Sequence, residues 1–153
     1  MTRRSNALST VGRGVLAGVA GTAVMTAFQR LVEMPLTHRP DSLAPAQFAQ
    51  RVLPLNPSNT QDLKRLNIAT HYALGTLWGC AYGVAARAGL RGQKAVNAVF
   101  VAVYTGDVVL NTALGLYHPT EWSAQDWVVD LVDKYVQAQA TGFVFDRFLD
   151  PTS

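Results

Sequence analysis

Gly14-Val-Leu-Ala-Gly-Val-Ala-Gly-Thr-Ala-Val-Met-Thr-Ala-Phe28 decides the class of fold. A helix over this stretch offers water only Thr22 and Thr26, whereas a helix of a soluble bundle needs a polar outer face. Two further segments repeat the problem. Residues 68–86 and 95–117 hold, of all ionisable side chains of the Asp, Glu, Lys, Arg and His types, only His71 and Asp107. Lipid is the simplest solvent for helices that are apolar nearly all round.

The whole composition is compatible with this without forcing it. The 153 residues are 49% apolar and 15% charged, where a soluble domain carries about a quarter charged. One domain, residues 1–153, accommodates that length. A net charge of +3 and no basic stripe interleaved with aromatics exclude a strongly basic nucleic-acid binder. The lone Cys80 has no internal disulfide partner and sits in an apolar run, where it reads as packing.

Prolines and caps divide the chain. The first helix is expected over about 10–34, because Pro35 cannot continue a helix interior. At 1.5 Å per residue it rises roughly 36 Å, enough for a hydrocarbon core of ~30 Å. A basic start before a small-residue apolar run also has the look of a secretory signal, but no clear A-x-A site follows. Residues 35–60 hold five of the seven prolines and form a connector. Within it a short helix near 43–53, with Pro45 in its first turn, either lies on the membrane surface or packs over the domain. A second long helix is expected over 60–88, opened by a Ser58–Gln61 capping box and stopped by Gly89. A third spans 93–117 and a fourth, opened by Ser123–Asp126, spans 124–149. The expected fold is therefore all-α, an integral membrane bundle of four helices plus a short surface helix.

Small residues support close helix packing. Gly75, Gly79 and Gly83 form a GxxxGxxxG run, and Gly14, Gly18 and Thr22 form a second stripe. In membranes such stripes let two backbones approach, so the second helix is expected to pack on the first or on a second copy of itself. Trp78, Tyr82, Tyr117, Trp122 and Trp127 include candidates for interfacial anchors. The 87–94 loop carries Arg87, Arg91 and Lys94, and the 118–125 loop carries no Lys or Arg, so both termini are expected on the cytoplasmic side.

Polar residues follow three- and four-residue steps along each helix. Thr22, Thr26, Gln29 and Glu33 share one face; Asn67, His71 and Gly75 another. Tyr104, Asp107, Asn111, Gly115 and His118 share a third, and Asp126, Asp130, Asp133 and Gln137 a fourth. Rise and chain direction put Glu33, His71, Asn111, Asp130 and Asp133 in one leaflet, with Asp107 a turn deeper. Ionisable groups at membrane depth face a cavity or a partner, so these six are the expected lining of one polar cavity. Such a set suits proton or cation transfer, or a lipid headgroup with Arg30 supplying positive charge. A membrane enzyme using His71 with an Asp as an acid/base pair is the rival, and interhelical hydrogen bonding without chemistry is the other. No metal-ligand spacing, nucleophile elbow, phosphate loop or dinucleotide fingerprint occurs, and no cofactor is assigned.

Four segments taken together resemble a known family. They are residues 14–29, Ala44-Pro-Ala-Gln-Phe-Ala49, Asn67 to Gly83, and the closing helix with Asp130, Thr141 and Gly142. They are similar to the YagU-like type of small bacterial inner-membrane proteins. The resemblance implies a multi-pass helical protein of the inner membrane and supplies no reaction. The bilayer is then the first partner, with a homo-oligomer or a larger membrane complex as the expected assembly.

Overall fold

In the computed structural model, residues 2–150 are described, with side chains from Leu8 onward; the side chains of Arg3 and Arg4, part of the basic N-terminal start, lie outside the described residues. Every regular element among the described residues is helical. Helix α1 runs over Thr2–Phe28, continues through a π turn, Gln29–Glu33, and closes with one α turn, Met34–Thr37. Helix α2 is Ala44–Val52, α3 is Thr60–Arg87 and α4 is Gly92–Ala113. Helix α5, Ala124–Val144, ends in a second π turn, Phe145–Leu149.

The first helix does not stop at Met34. Pro35 has no N–H, and in an α ladder its ring meets the carbonyl four residues back. The π turn absorbs this: the Met34 N–H reaches the Gln29 carbonyl, one residue further than an α bond. The chain then leaves the helix at His38, whose φ of 55° is left-handed. The third long helix is shorter than expected, because Gly115 acts as its stop. With φ at 72°, Gly115 lets the Leu116 N–H return to the Asn111 carbonyl at 2.8 Å, and its own N–H goes to Thr112 at 3.0 Å. This is the Schellman arrangement. The same geometry ends α3 at Gly89, as its sequence position suggested. At the start of α3 the cap is Asn59, accepting from the Asp62 N–H at 2.9 Å, rather than Ser58. Ser123 and Asp126 form the reciprocal capping box of α5.

Helix α1 packs between α3 and α5, and the absence of side chains makes both contacts close. A Cβ on Gly18 would stand 2.5 Å from the Gly75 carbonyl oxygen, and one on Gly14 2.6 Å from that of Gly79. A Cβ on Gly79 would collide with the Gly14 carbonyl, and one on Gly75 with the Thr22 hydroxyl. Gly83 is looser, 3.3 Å from the Thr10 carbonyl. On the other side of α1, Gly21 abuts Thr141 of α5. A second core joins α3, α4 and α5 through Trp78, Tyr82, Val96, Val99, Ala138 and Phe145. Trp78 and Tyr82 are thus core residues rather than interfacial anchors. Around the loop between α4 and α5, Trp122 meets Tyr117 at a tilt and Trp127 edge to face.

The bundle leaves much apolar surface outside. Leu16 is 60% exposed, Leu77 56%, Val109 62% and Phe143 61%, one on each long helix. Two helices, Leu8–Thr37 and Gly92–Ala113, are long and apolar enough to cross a membrane, and in each only 28% of the most apolar 18-residue stretch is buried. The core helix of a soluble domain is mostly buried, so this low share weakly supports a membrane location.

Candidate functional site

The long helices run alternately up and down, so the end of α1, the start of α3, the end of α4 and the start of α5 share one pole. Helix α2 is tied across that pole by Asn67, on the polar face of α3. The Asn67 Oδ1 accepts the Ala46 N–H at 3.0 Å, and its Nδ2 donates to the Ser42 carbonyl at 3.0 Å. One side chain thereby caps α2 and fixes the connector, and α2 buries Ala46 and Ala49. The connector packs over the bundle, the second of the two placements expected for it.

Beneath α2 lies a half-enclosed cavity of about 390 Å³. His71, Asp107, Asn111 and Asp130 all line it, together with Arg30, Lys134 and other residues of α1 to α5. Glu33 and Asp133 do not. Glu33 is held within its own turn, accepting the Thr37 hydroxyl at 2.7 Å. Asp133 is 5% exposed and faces α1, where its Oδ2 accepts Gln29 Nε2 at 2.7 Å while its Oδ1 has no partner. Both still act on the site electrostatically, since Asp133 feels the charges of Glu33, Asp130 and Lys134. The π turn of α1 contributes Gln29 and Arg30 to the cavity wall. Such turns re-aim side chains and recur at functional sites.

The wall is built from shared protons. Asp107 receives Lys134 Nζ at 3.0 Å on Oδ2 and Asn111 Nδ2 at 3.0 Å on Oδ1. Asp130 Oδ2 accepts the Tyr104 hydroxyl at 2.9 Å. The Thr26 hydroxyl gives its proton to the Thr22 carbonyl at 2.8 Å and meets His71 Nε2 at 3.1 Å. Below, Gln137 Nε2 donates to the Thr22 hydroxyl at 2.9 Å and seals the floor. His71 and Asp130 line the same space without a direct hydrogen bond between them. Among the described residues no three His, Cys, Asp or Glu side chains converge as a metal-binding group.

Lys134, like Asp41, is a charged lining residue absent from the site expected from the sequence. Its signal was present: it stands four residues after Asp130, on the same helical face. Asn67 was recognised as part of a polar stripe, and its use as a cap for another helix has no local signature.

The opposite pole, where both chain ends lie, is a second polar cluster with a different character. Asp146 accepts from the Tyr82 hydroxyl at 2.5 Å, the Gly92 N–H at 2.9 Å and Arg91 at 3.2 Å. Asp150 is bound by Arg91 at 2.7 Å and Arg13 at 2.9 Å. Partial burial pulls the Arg91 pKa down, and the hydrogen bonds and charges of Asp150 and Asp146 outweigh it, holding the guanidinium above its ordinary value. No family model matches the chain, and neither a curated protein nor a solved structure matches it.

Proposed function

We propose that this chain is a small multi-pass protein of the bacterial inner membrane whose polar cavity binds or conducts a small ligand, ion or lipid headgroup. In this reading all four long helices lie in the bilayer and both termini are cytoplasmic, so the cavity opens on the far side. The observation that carries it is the pairing of a charged, half-enclosed cavity with apolar side chains exposed around every long helix. Water would solvate the first and penalise the second; a bilayer does the reverse for the outer faces. Helix α3, at 28 residues, rises roughly 42 Å and has the length to span, although its first two turns are polar. The likeness to the YagU-like proteins agrees with this placement.

An assembly role is the second reading. Exposed Leu77 and Val84 on α3 and Val101 and Val109 on α4 suit contact with a second copy or a larger complex as well as with lipid. The open acceptors of the cavity favour the binding role, because a purely structural network gains by closing them.

Side-specific labelling tests the topology. Residues 40–60 and 118–124 are expected on the same, non-cytoplasmic side of the membrane. Finding them on opposite sides overturns the four-span arrangement, and partition of the protein into buffer without detergent overturns the membrane reading altogether.

A further inference from the structure

Resting on that reading, we propose that the cavity is a site for a protonated primary amine. The argument is an inventory of protons. Asn111 is 5% exposed and lines the cavity. Its Nδ2 is fixed by two acceptors, the Asp107 carbonyl at 2.9 Å and the Asp107 carboxylate at 3.0 Å. Its orientation is therefore determined, and its Oδ1 turns the other way, with no protein donor among the described residues. The single hydroxyl proton of Thr26 is given to the Thr22 carbonyl. With that proton on the Thr22 carbonyl, the matching tautomer of a neutral His71 donates from Nε2 to Thr26 and holds Nδ1 as an acceptor with no protein partner among the described residues. Asp130 uses Oδ2 for the Tyr104 hydroxyl and leaves Oδ1 open.

Three lining residues thus each keep one acceptor atom in reserve, and an ammonium group carries three N–H donors. Charge points the same way. Asp107 is neutralised by Lys134, and Arg30 is exposed at the rim without an ion pair. Asp41 and Asp130 on the lining, with Asp133 and Glu33 behind it, leave carboxylates in excess over cations around the cavity. Tyr72, Tyr117 and Phe48 also line the cavity, and aromatic rings suit a cation. An anion would meet the opposite balance, and a bare divalent ion lacks three convergent acidic or imidazole ligands.

The amine has two sources, a water-soluble solute or the headgroup of an aminophospholipid. The full chain in detergent is titrated calorimetrically with n-butylammonium, butyrate and tetramethylammonium. In parallel, bilayer nanodiscs of mixed phosphatidylethanolamine and phosphatidylcholine are delipidated and the retained lipid identified by native mass spectrometry. The expected result is saturable binding of n-butylammonium, preferential retention of phosphatidylethanolamine, or both; the first identifies a solute site and the second a lipid site. In either case D130N and N111L weaken binding at least tenfold with the melting temperature of D130N unchanged. No saturable amine binding together with equal retention of the two lipids overturns the proposal, as does undiminished binding by D130N. Tetramethylammonium or phosphatidylcholine bound equally well also overturns it, since neither carries an N–H donor. Tighter binding of butyrate overturns the amine inference while leaving a ligand-binding cavity in place, so the two failures are distinguishable.

Discussion

The two poles of the bundle use the same residue types to opposite ends. At the pole of the chain ends, all four carboxylate oxygens of Asp146 and Asp150 have donors within 3.2 Å, and Arg91 lies 5.7 Å from the ring of Phe145. At the other pole Asp130, Asn111 and His71 each spend one polar atom on the protein, have another with no protein partner among the described residues, and line a cavity of about 390 Å³. A network that closes all its bonds fixes helix ends; a network that leaves acceptors open is stable only where water or a ligand completes it. On the proposed function, the difference separates polar groups that tie helix ends together from polar groups left free to bind. It predicts that substitutions at the closed pole lower stability and that substitutions at the open pole lower binding.

The largest effect is expected where neither pole is involved and both depend on the scaffold. Gly79→Leu drives a side chain into the backbone of Gly14, which cannot rotate away. A loss at the upper end of the overpacking range, about 3 kcal/mol or more, should show as a collapsed thermal transition or failure to purify. A variant with wild-type melting would mean that α1 and α3 do not meet at these glycines. Next comes the closed pole. Asp146→Ala removes one acceptor from three donors, and a loss of about 2–3 kcal/mol is expected in thermal unfolding, with cavity binding retained. Equal losses of stability and binding would couple the poles and break the contrast.

At the open pole the effects shrink. Lys134→Met leaves Asp107 with Asn111 as its one remaining partner. Both members of the ion pair are about one-fifth exposed, so a loss of about 1–2 kcal/mol is expected rather than the full cost of a buried orphan charge. Asp130→Asn keeps an acceptor for Tyr104, and its melting temperature should stay within the shift equivalent to about 1 kcal/mol while ligand binding falls. A large stability loss in Asp130→Asn would show that this carboxylate belongs to the frame of the molecule.

Much of this contrast was legible before any coordinates. Helical phase and chain direction put His71, Asn111 and Asp130 in one leaflet with Asp107 a turn deeper, and those four line one cavity. Glu33 and Asp133, expected on the same wall, do not line it. Phase arithmetic assumes a uniform α-helix, and the π turn over Gln29–Glu33 shifts every side chain after Phe28, Glu33 among them. Asp133 lies three residues past Asp130, near enough to share a face yet turned toward α1. Pro35 announced a break, but sequence alone does not distinguish a stop from a widened turn. Gly89 is marked as a stop by the second glycine of its turn, Gly92, whereas Gly115 stands in a polar stripe without such a companion, and its role as a helix end shows in its φ of 72°. The two small-residue stripes leave packing of the second helix on the first or on a second copy open, and the structure seats Gly14 and Gly18 against Gly79 and Gly75. The part of Gly21 in the α1–α5 contact has no such signal, since it falls outside the four-residue spacing.

A polar cavity open to water within a lipid-covered bundle, as proposed, gives thiols two distinct environments, and thiol accessibility measures both at once. In a Cys80→Ala background, single cysteines at Asn111 and at Val109 are treated in sealed membrane vesicles of each orientation with a small charged methanethiosulfonate. Asn111 lines the cavity, and Val109, two residues earlier on the same helix, is 62% exposed on an outer face. Asn111→Cys is expected to react from the non-cytoplasmic side and Val109→Cys to stay silent, since a thiol in hydrocarbon does not ionise. Rapid reaction of Val109→Cys with a silent Asn111→Cys would contradict it, describing a closed core in a water-exposed bundle.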